Sequence, residues 1–269
     1  MGFEERIAHQ LLCRPSPQTF AVASIRPCHV MDGRRGTEPI EADFLHPCSV
    51  TDPNFSSCFS KIVESIHTEW KNGVPGLKSV SSFDPLHVRR IAISQDVSNP
   101  ISINLSLHNV TLTGISGAKV TESKFVRSPL GLMIKLAMPK LIVEGGYDIN
   151  GHILTLPVGG QGKASISVDK SIANVAMLLQ KREDRGFTFT TVDDLRLDLQ
   201  QVSGVHLNLE DSDASQENAI LNTYGDAIFE ILRPSLNAAL SKLFKDRWAK
   251  IFAYVPAEYV FADLPNTTK

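Results

Sequence analysis

The chain has 269 residues, 42% of them hydrophobic and 21% charged, and its 27 Lys and Arg against 29 Asp and Glu leave a formal charge of -2. A surface so balanced carries no field of one sign, which argues against nucleic acid as a partner. The longest apolar runs, such as Leu141-Ile142-Val143, fall far short of the roughly 18 residues that cross a bilayer, so stable membrane insertion is not expected.

Residues 1–43 read as an irregular segment, because Arg14-Pro15-Ser16-Pro17, Arg26-Pro27 and Asp32-Gly33-Arg34-Arg35-Gly36 break every periodicity. Met1 to Pro27 shows no secretion signal: it has two early glutamates and lacks an apolar stretch of about 7 to 15 residues. Arg6 stands where a myristoylation motif wants Ser or Thr. Cys13, Cys28, Cys48 and Cys58 lack the spacing of a zinc module.

The pattern sharpens at Asp52. Asp52 suits a cap, Pro53 suits a first helical turn, and Phe55, Cys58, Phe59, Ile62, Val63, Ile66 and Trp70 recur at three and four. This spacing predicts a helix over 54–70, ended by Gly73, Pro75 and Gly76. From about residue 86 to 209 the period falls to two, the mark of strands with one buried face. Ile101, Ile103, Leu105 and Leu107 alternate with polar residues, and Val110 and Leu112 continue in the opposite parity, which predicts a bulge near His108-Asn109. Leu130, Leu132, Ile134 and Leu136 repeat the pattern, as do Phe187 and Phe189, Leu195 to Leu199, and Val205 to Leu209. At least six mostly antiparallel strands are expected.

A last apolar stripe runs from Ile220 through Tyr224, Ile228, Leu232, Leu240, Phe244, Trp248 and Phe252, with Pro234 expected to kink it. A helix of about 35 residues is roughly 50 Å long. The fold class is therefore α+β: an elongated antiparallel sheet wrapped around a long C-terminal helix, with a second, N-terminal helix nearby. Such an arrangement encloses a long apolar interior, a place for a ligand. Parity turns Leu132, Ile134 and Leu136 inward; Ile66 and Trp70 lie on the apolar face of the first helix, and Tyr224, Ile228 and Trp248 on that of the last. These eight are the candidate ligand-binding residues.

Catalytic and metal signals are weak. Gly159-Gly160-Gln161-Gly162-Lys163 fails as a phosphate loop, with Pro157 in place of the first glycine and Ala164 in place of Ser or Thr, and reads as a Gly-rich strand bend near an edge. The eight histidines show no H-x-x-x-H or paired-Cys spacing and there is no G-x-S-x-G elbow. No metal, no cofactor and no enzymatic activity are expected. Lys242, Lys245, Arg247 and Lys250, interrupted by Asp246, read as a solvated helix face. Asn54, Asn104, Asn109 and Asn266 open glycosylation acceptor triplets that matter only after export.

Several motifs occur in an order that resembles a known family. Cys48-x9-Cys58 precedes Gly73-Val74-Pro75-Gly76-Leu77 and Phe83-Asp84-Pro85-Leu86; then come Pro139, Gly145-Gly146-Tyr147, Gly151, Leu154-x-Leu156-Pro157 and Gly160-x-Gly162; last come Asn218, Asn222, Leu232-x-Pro234, Phe252-x3-Pro256 and Val260-Phe261. Over residues 44 to 264 the chain resembles the insect haemolymph juvenile-hormone-binding and takeout family. The resemblance implies a TULIP-like β-wrap over 44–269 and a secreted carrier. The carrier would hold a juvenile-hormone-like terpenoid or a fatty-acyl lipid in an internal tunnel, as a monomer. It also implies a disulfide between Cys48 and Cys58. No cysteine follows Cys58, so the second bridge of juvenile-hormone-binding members is missing, which favours the takeout branch. The alternative is an interaction protein acting at a lipid surface or on a protein partner.

Overall fold

The computed structural model describes residues 42–94, 101–153, 156–210, 218–219 and 222–264. The readings made for residues 1–41, including Cys13 and Cys28, and those for Ile220, Leu221 and Asn266 lie outside the described residues.

Helix α1 spans Phe55–Glu69. Its buried face is Phe55, Phe59, Ile62, Val63 and Ile66, the predicted stripe. Asp52 acts two residues before the cap: its carboxylate accepts the N–H of Asn54 at 2.8 Å, and Asn54 occupies the N-cap. Cys48 and Cys58 form the disulfide, with their Cα atoms 5.9 Å apart. The bond ties α1 to a short segment that pairs with the far end of the chain, where the Cys48 N–H donates to Val260 at 3.0 Å and the Ala262 N–H to Cys48 at 2.9 Å.

Seven strands follow among the described residues: β1 Leu86–Ser94, β2 Ile101–Thr113, β3 Lys119–Arg127, β4 Leu130–Met138, β5 Leu141–Ile153, β6 Leu156–Asp184 and β7 Phe187–Glu210. All pair antiparallel. The 29-residue β6 organises the sheet. Its first half pairs with β5 and its second half with β4, end to end along one edge, while β7 runs along the other. β1 and β2 extend the sheet beyond β5, and β3 extends it beyond β4. The bulge expected in β2 lies between His108 and Thr111, with Asn109 at φ 53°. The Gly-rich run sits within β6 at the point where β7 joins, Lys163 pairing with Glu210. There a Cβ on Gly162 would lie 2.8 Å from the Glu210 carbonyl and 3.2 Å from the Tyr147 ring, so close packing requires glycine.

Helix α2 spans Gly225–Tyr254 and runs through Pro234 without interruption. The predicted 35-residue helix is broken at Tyr224, a bend that caps α2. α2 lies against the open edge of β7. Asn237 and Ser241 accept the N–H groups of Leu199 and Leu197 at 3.1 and 2.8 Å. Asn218 and Asn222 each close a two-way pair with the backbone of Leu209 and Leu207, at 2.8–3.0 Å. Side-chain amides thus satisfy the backbone groups of an edge strand.

The apolar side chains gather in two clusters. One joins α1, β3, β4, the second half of β6, the first half of β7 and the C-terminal part of α2. The other joins β2, β5, the first half of β6, the end of β7 and the N-terminal part of α2, through Ile228 and Leu232. A single stripe on α2 therefore serves both.

Candidate functional site

The first cluster encloses a cavity of about 160 Å³. Its walls follow from the two periodicities. α1 contributes Phe59, Ile62, Val63, Ile66 and His67, with Trp70 at its C-cap, at three and four; α2 contributes Leu240, Phe244, Arg247, Trp248, Ile251 and Phe252, with Val255 at its C-cap, in the same rhythm. The sheet contributes alternate residues of three neighbouring strands in lateral rungs: Ile134 opposite Val175 and Leu197, and Leu136 opposite Ala173 and Leu199. The α2 residues on the wall, Leu240 to Phe252, cover about 18 Å of helix axis. Apart from His67 and Arg247 these walls are apolar and offer water no partners, and a lone water needs only about 10–15 Å³ on this scale, so the cavity suits a hydrocarbon several times larger.

Five of the eight candidate residues, Ile66, Trp70, Ile134, Leu136 and Trp248, line this cavity, and three do not. Leu132 is 0% exposed and packs in the core around the cavity instead. Its partner on β3, Phe125, meets Phe55 and Phe261 at 6.2 and 5.3 Å, while its partner on β6, Met177, lines the cavity. Ile228 is buried in the second cluster, since it lies more than three turns from Leu240 along α2. Tyr224 is 57% exposed. It was expected on the apolar stripe, but the helix starts after it, so the stripe's geometry does not apply there.

Two wall residues were not among the candidates. His67 follows Ile66 on the same stripe, and its place four residues after Val63 is the signal that could have found it. Arg247 was assigned to a solvated face with Lys242, Lys245 and Lys250. Lys242 and Lys250 are exposed, and Lys245 reaches the Asp193 carbonyl. Arg247, three residues after Phe244 and next to Trp248, turns inward instead. Its guanidinium donates to the carbonyls of Ser81 and Ser82 and lies 5.1 Å from the centre of the Phe83 ring. The 71–85 segment is held to α2 a second time by the Tyr254 hydroxyl, which donates to Pro75 at 3.3 Å.

Burial shapes the charges here. It lowers the His67 pKa, against the raising influence of Asp84 and Glu64, and it pulls the Arg247 guanidinium below its ordinary value. Burial works against ionisation of Asp84 too. Hydrogen bonds from the Ser116 hydroxyl and from the Ser116 and Gly114 N–H groups, with the charge of Lys71, outweigh it and hold that carboxyl below its usual range. Among the described residues no three His, Cys, Asp or Glu gather as a metal site, and no helix is long and apolar enough to cross a membrane.

Comparison with known proteins places this architecture. The family model described as haemolymph juvenile hormone binding protein matches residues 28–262. The circadian clock-controlled protein daywake of Drosophila melanogaster is 24% identical over 231 residues, covering 81% of this chain and 86% of its own. Its Drosophila yakuba counterpart is 22% identical over 219 residues, covering 76% and 83%. Among solved structures, Takeout 1 of Epiphyas postvittana superposes with a TM-score of 0.66 at 19% identity, covering 81% of this chain and 99% of its own. Its likeness shows that the sheet wrapped on a long C-terminal helix is a takeout fold, the TULIP-like β-wrap expected from the sequence. With a match spanning most of its length and a fold to agree, the chain belongs to the haemolymph juvenile hormone binding protein and takeout family.

Proposed function

We propose that the chain binds and carries a hydrophobic small molecule, a terpenoid or a fatty-acyl lipid, in the cavity between α1, α2 and the sheet, without catalysing a reaction. The observation that carries this reading is the cavity itself: three separate elements present alternate or helically spaced apolar residues to one enclosed space. Transfer of an apolar chain from water into such a space is favourable in proportion to the area it hides. The family's description, a binding protein for juvenile hormone in haemolymph, supports both a hydrophobic ligand and export to an extracellular fluid. We place the carrier domain at 44–269 and take the protein to act as a monomer.

Two measurements test this. Native mass spectrometry of the purified protein is expected to show a co-purifying lipid. Displacement of a fluorescent fatty-acid probe, read beside thermal melting, tests the walls: Ile134→Trp and Leu136→Trp should abolish probe binding while costing about 1–3 kcal/mol of stability, as overpacking does. Full binding by both folded variants would remove these positions from the site, and no binding of any apolar probe by the wild type would overturn the carrier reading.

A further inference from the structure

The cavity's lining is apolar except for His67 and Arg247. Each brings to the wall a buried nitrogen with no hydrogen-bond partner, Nδ1 of His67 and Nε of Arg247. Buried polar atoms without partners are rare in folded proteins, because their lost hydration goes uncompensated. The guanidinium is already fixed in place by the Ser81 and Ser82 carbonyls and by the Phe83 ring. Carbonyls accept hydrogen bonds but carry no net charge, and among the described residues no carboxylate pairs with Arg247. Asp84, the acid next to that segment, is occupied elsewhere, by Gly114 and Ser116. The wall thus holds a fixed positive charge with a free N–H and no counter-ion. A neutral imidazole on the facing helix can add one N–H of its own.

We propose, resting on the carrier reading above, that the natural ligand is a long-chain carboxylic acid, with its chain in the apolar cavity and its carboxylate held by Arg247 with His67 beside it. A neutral terpenoid ester would leave the guanidinium without a counter-ion, whereas a carboxylate supplies both the charge and the acceptor that Nε lacks. Arg247 then sets which end of the ligand enters deepest, and the class of head group that is accepted.

The test compares palmitate with methyl palmitate, which share a chain and differ in the head, by displacement of a fluorescent apolar probe from the full-length protein. Wild type is expected to prefer palmitate by about tenfold or more, the strength of a hydrogen bond to a charged group. Arg247→Gln is expected to lower the affinity for palmitate far more than that for methyl palmitate, so that the ratio of the two falls toward one; His67→Gln should reduce the preference less. Equal affinities in wild type, or an undiminished preference in Arg247→Gln, would overturn the proposal and leave the carrier reading standing. Failure of wild type to bind either compound would overturn both. Should Arg247→Gln not fold, the carboxyl carbon of ¹³C-labelled palmitate bound to wild type decides: beside a guanidinium it titrates below the ordinary carboxylic-acid range, and an unshifted or raised titration speaks against the anchor.

Discussion

His67 shows how a single position can carry a signature of the cavity. Its pKa is lowered from the ordinary 6.5 chiefly by burial, with Asp84 and Glu64 pulling the other way. As pH falls below 6.5 the unfolded chain therefore takes up the proton first. Stability is full above that point and declines as pH drops toward the lowered folded value. His67→Gln has no proton to take up, so between about pH 7 and about pH 5.5 it is expected to lose less melting temperature than wild type. Parallel curves for the two proteins would show that His67 does not set this window. Asp84 lies outside the comparison, because its carboxyl is held below the carboxylate range and contributes its loss at lower pH.

Among the elements, α1 depends on a covalent tie as well as on its apolar face. Closing the segment from Cys48 to Cys58, a sequence separation of 10, should stabilise by about 2–3 kcal/mol in the chain-entropy model. Cys48→Ser with Cys58→Ser is expected to lower the unfolding free energy by that amount, measured in denaturant; an unchanged midpoint would mean that the strap at Val260 and Ala262 suffices without the bond. Elements with a clean period and one buried face were legible in the sequence, whereas β6, read only as a Gly-rich bend, and β7, read as three separate runs, were not seen as single long strands. α1, the bulge in β2 and the alternation of β4 are visible in residue order alone. The end of a periodic stripe was less legible. Tyr224 continues the apolar pattern of α2, but the chain bends there, and nothing in the pattern marks the bend. The inward turn of Arg247 was hidden for another reason. A basic residue among lysines looks solvated, and its partners, the carbonyls of Ser81 and Ser82, are backbone groups far away in sequence that carry no residue signature.

For the whole molecule, the division into two apolar clusters separates stability from binding. The cavity belongs to the first cluster, while Leu232 belongs to the second. Leu232→Ala is expected to cost about 2–5 kcal/mol, as large-to-small core substitutions do, with probe affinity of the folded protein unchanged. A parallel loss of affinity in calorimetry would show that the two halves act as one. Periodicity predicted one long apolar interior along one helix; its buried side chains gather in two clusters as β6 pairs with β5 and then β4, while Leu86, Leu112 and Leu141 of β1, β2 and β5 also reach the cavity wall. Such a division depends on which strands share an edge, and residue alternation does not encode that.

The four side chains that fasten the C-terminal helical region to β7 work like a vernier, two scales whose divisions agree at chosen marks. Four residues of helix advance about 6 Å and two residues of strand about 6.6 Å. Asn237 and Ser241 therefore meet Leu199 and Leu197, and Asn218 and Asn222 meet Leu209 and Leu207. The scales match over one interval and drift over several, which accounts for two separated pairs of marks in place of an unbroken row. On α2 itself Asn237 and Ser241 set the axial position, and a slide of one turn would unseat both; Asn218 and Asn222 hold the segment before the bend at Tyr224. The wall that α2 offers to the cavity is accordingly held against sliding along β7, and side chains swinging about their own bonds change its bore without unseating these marks.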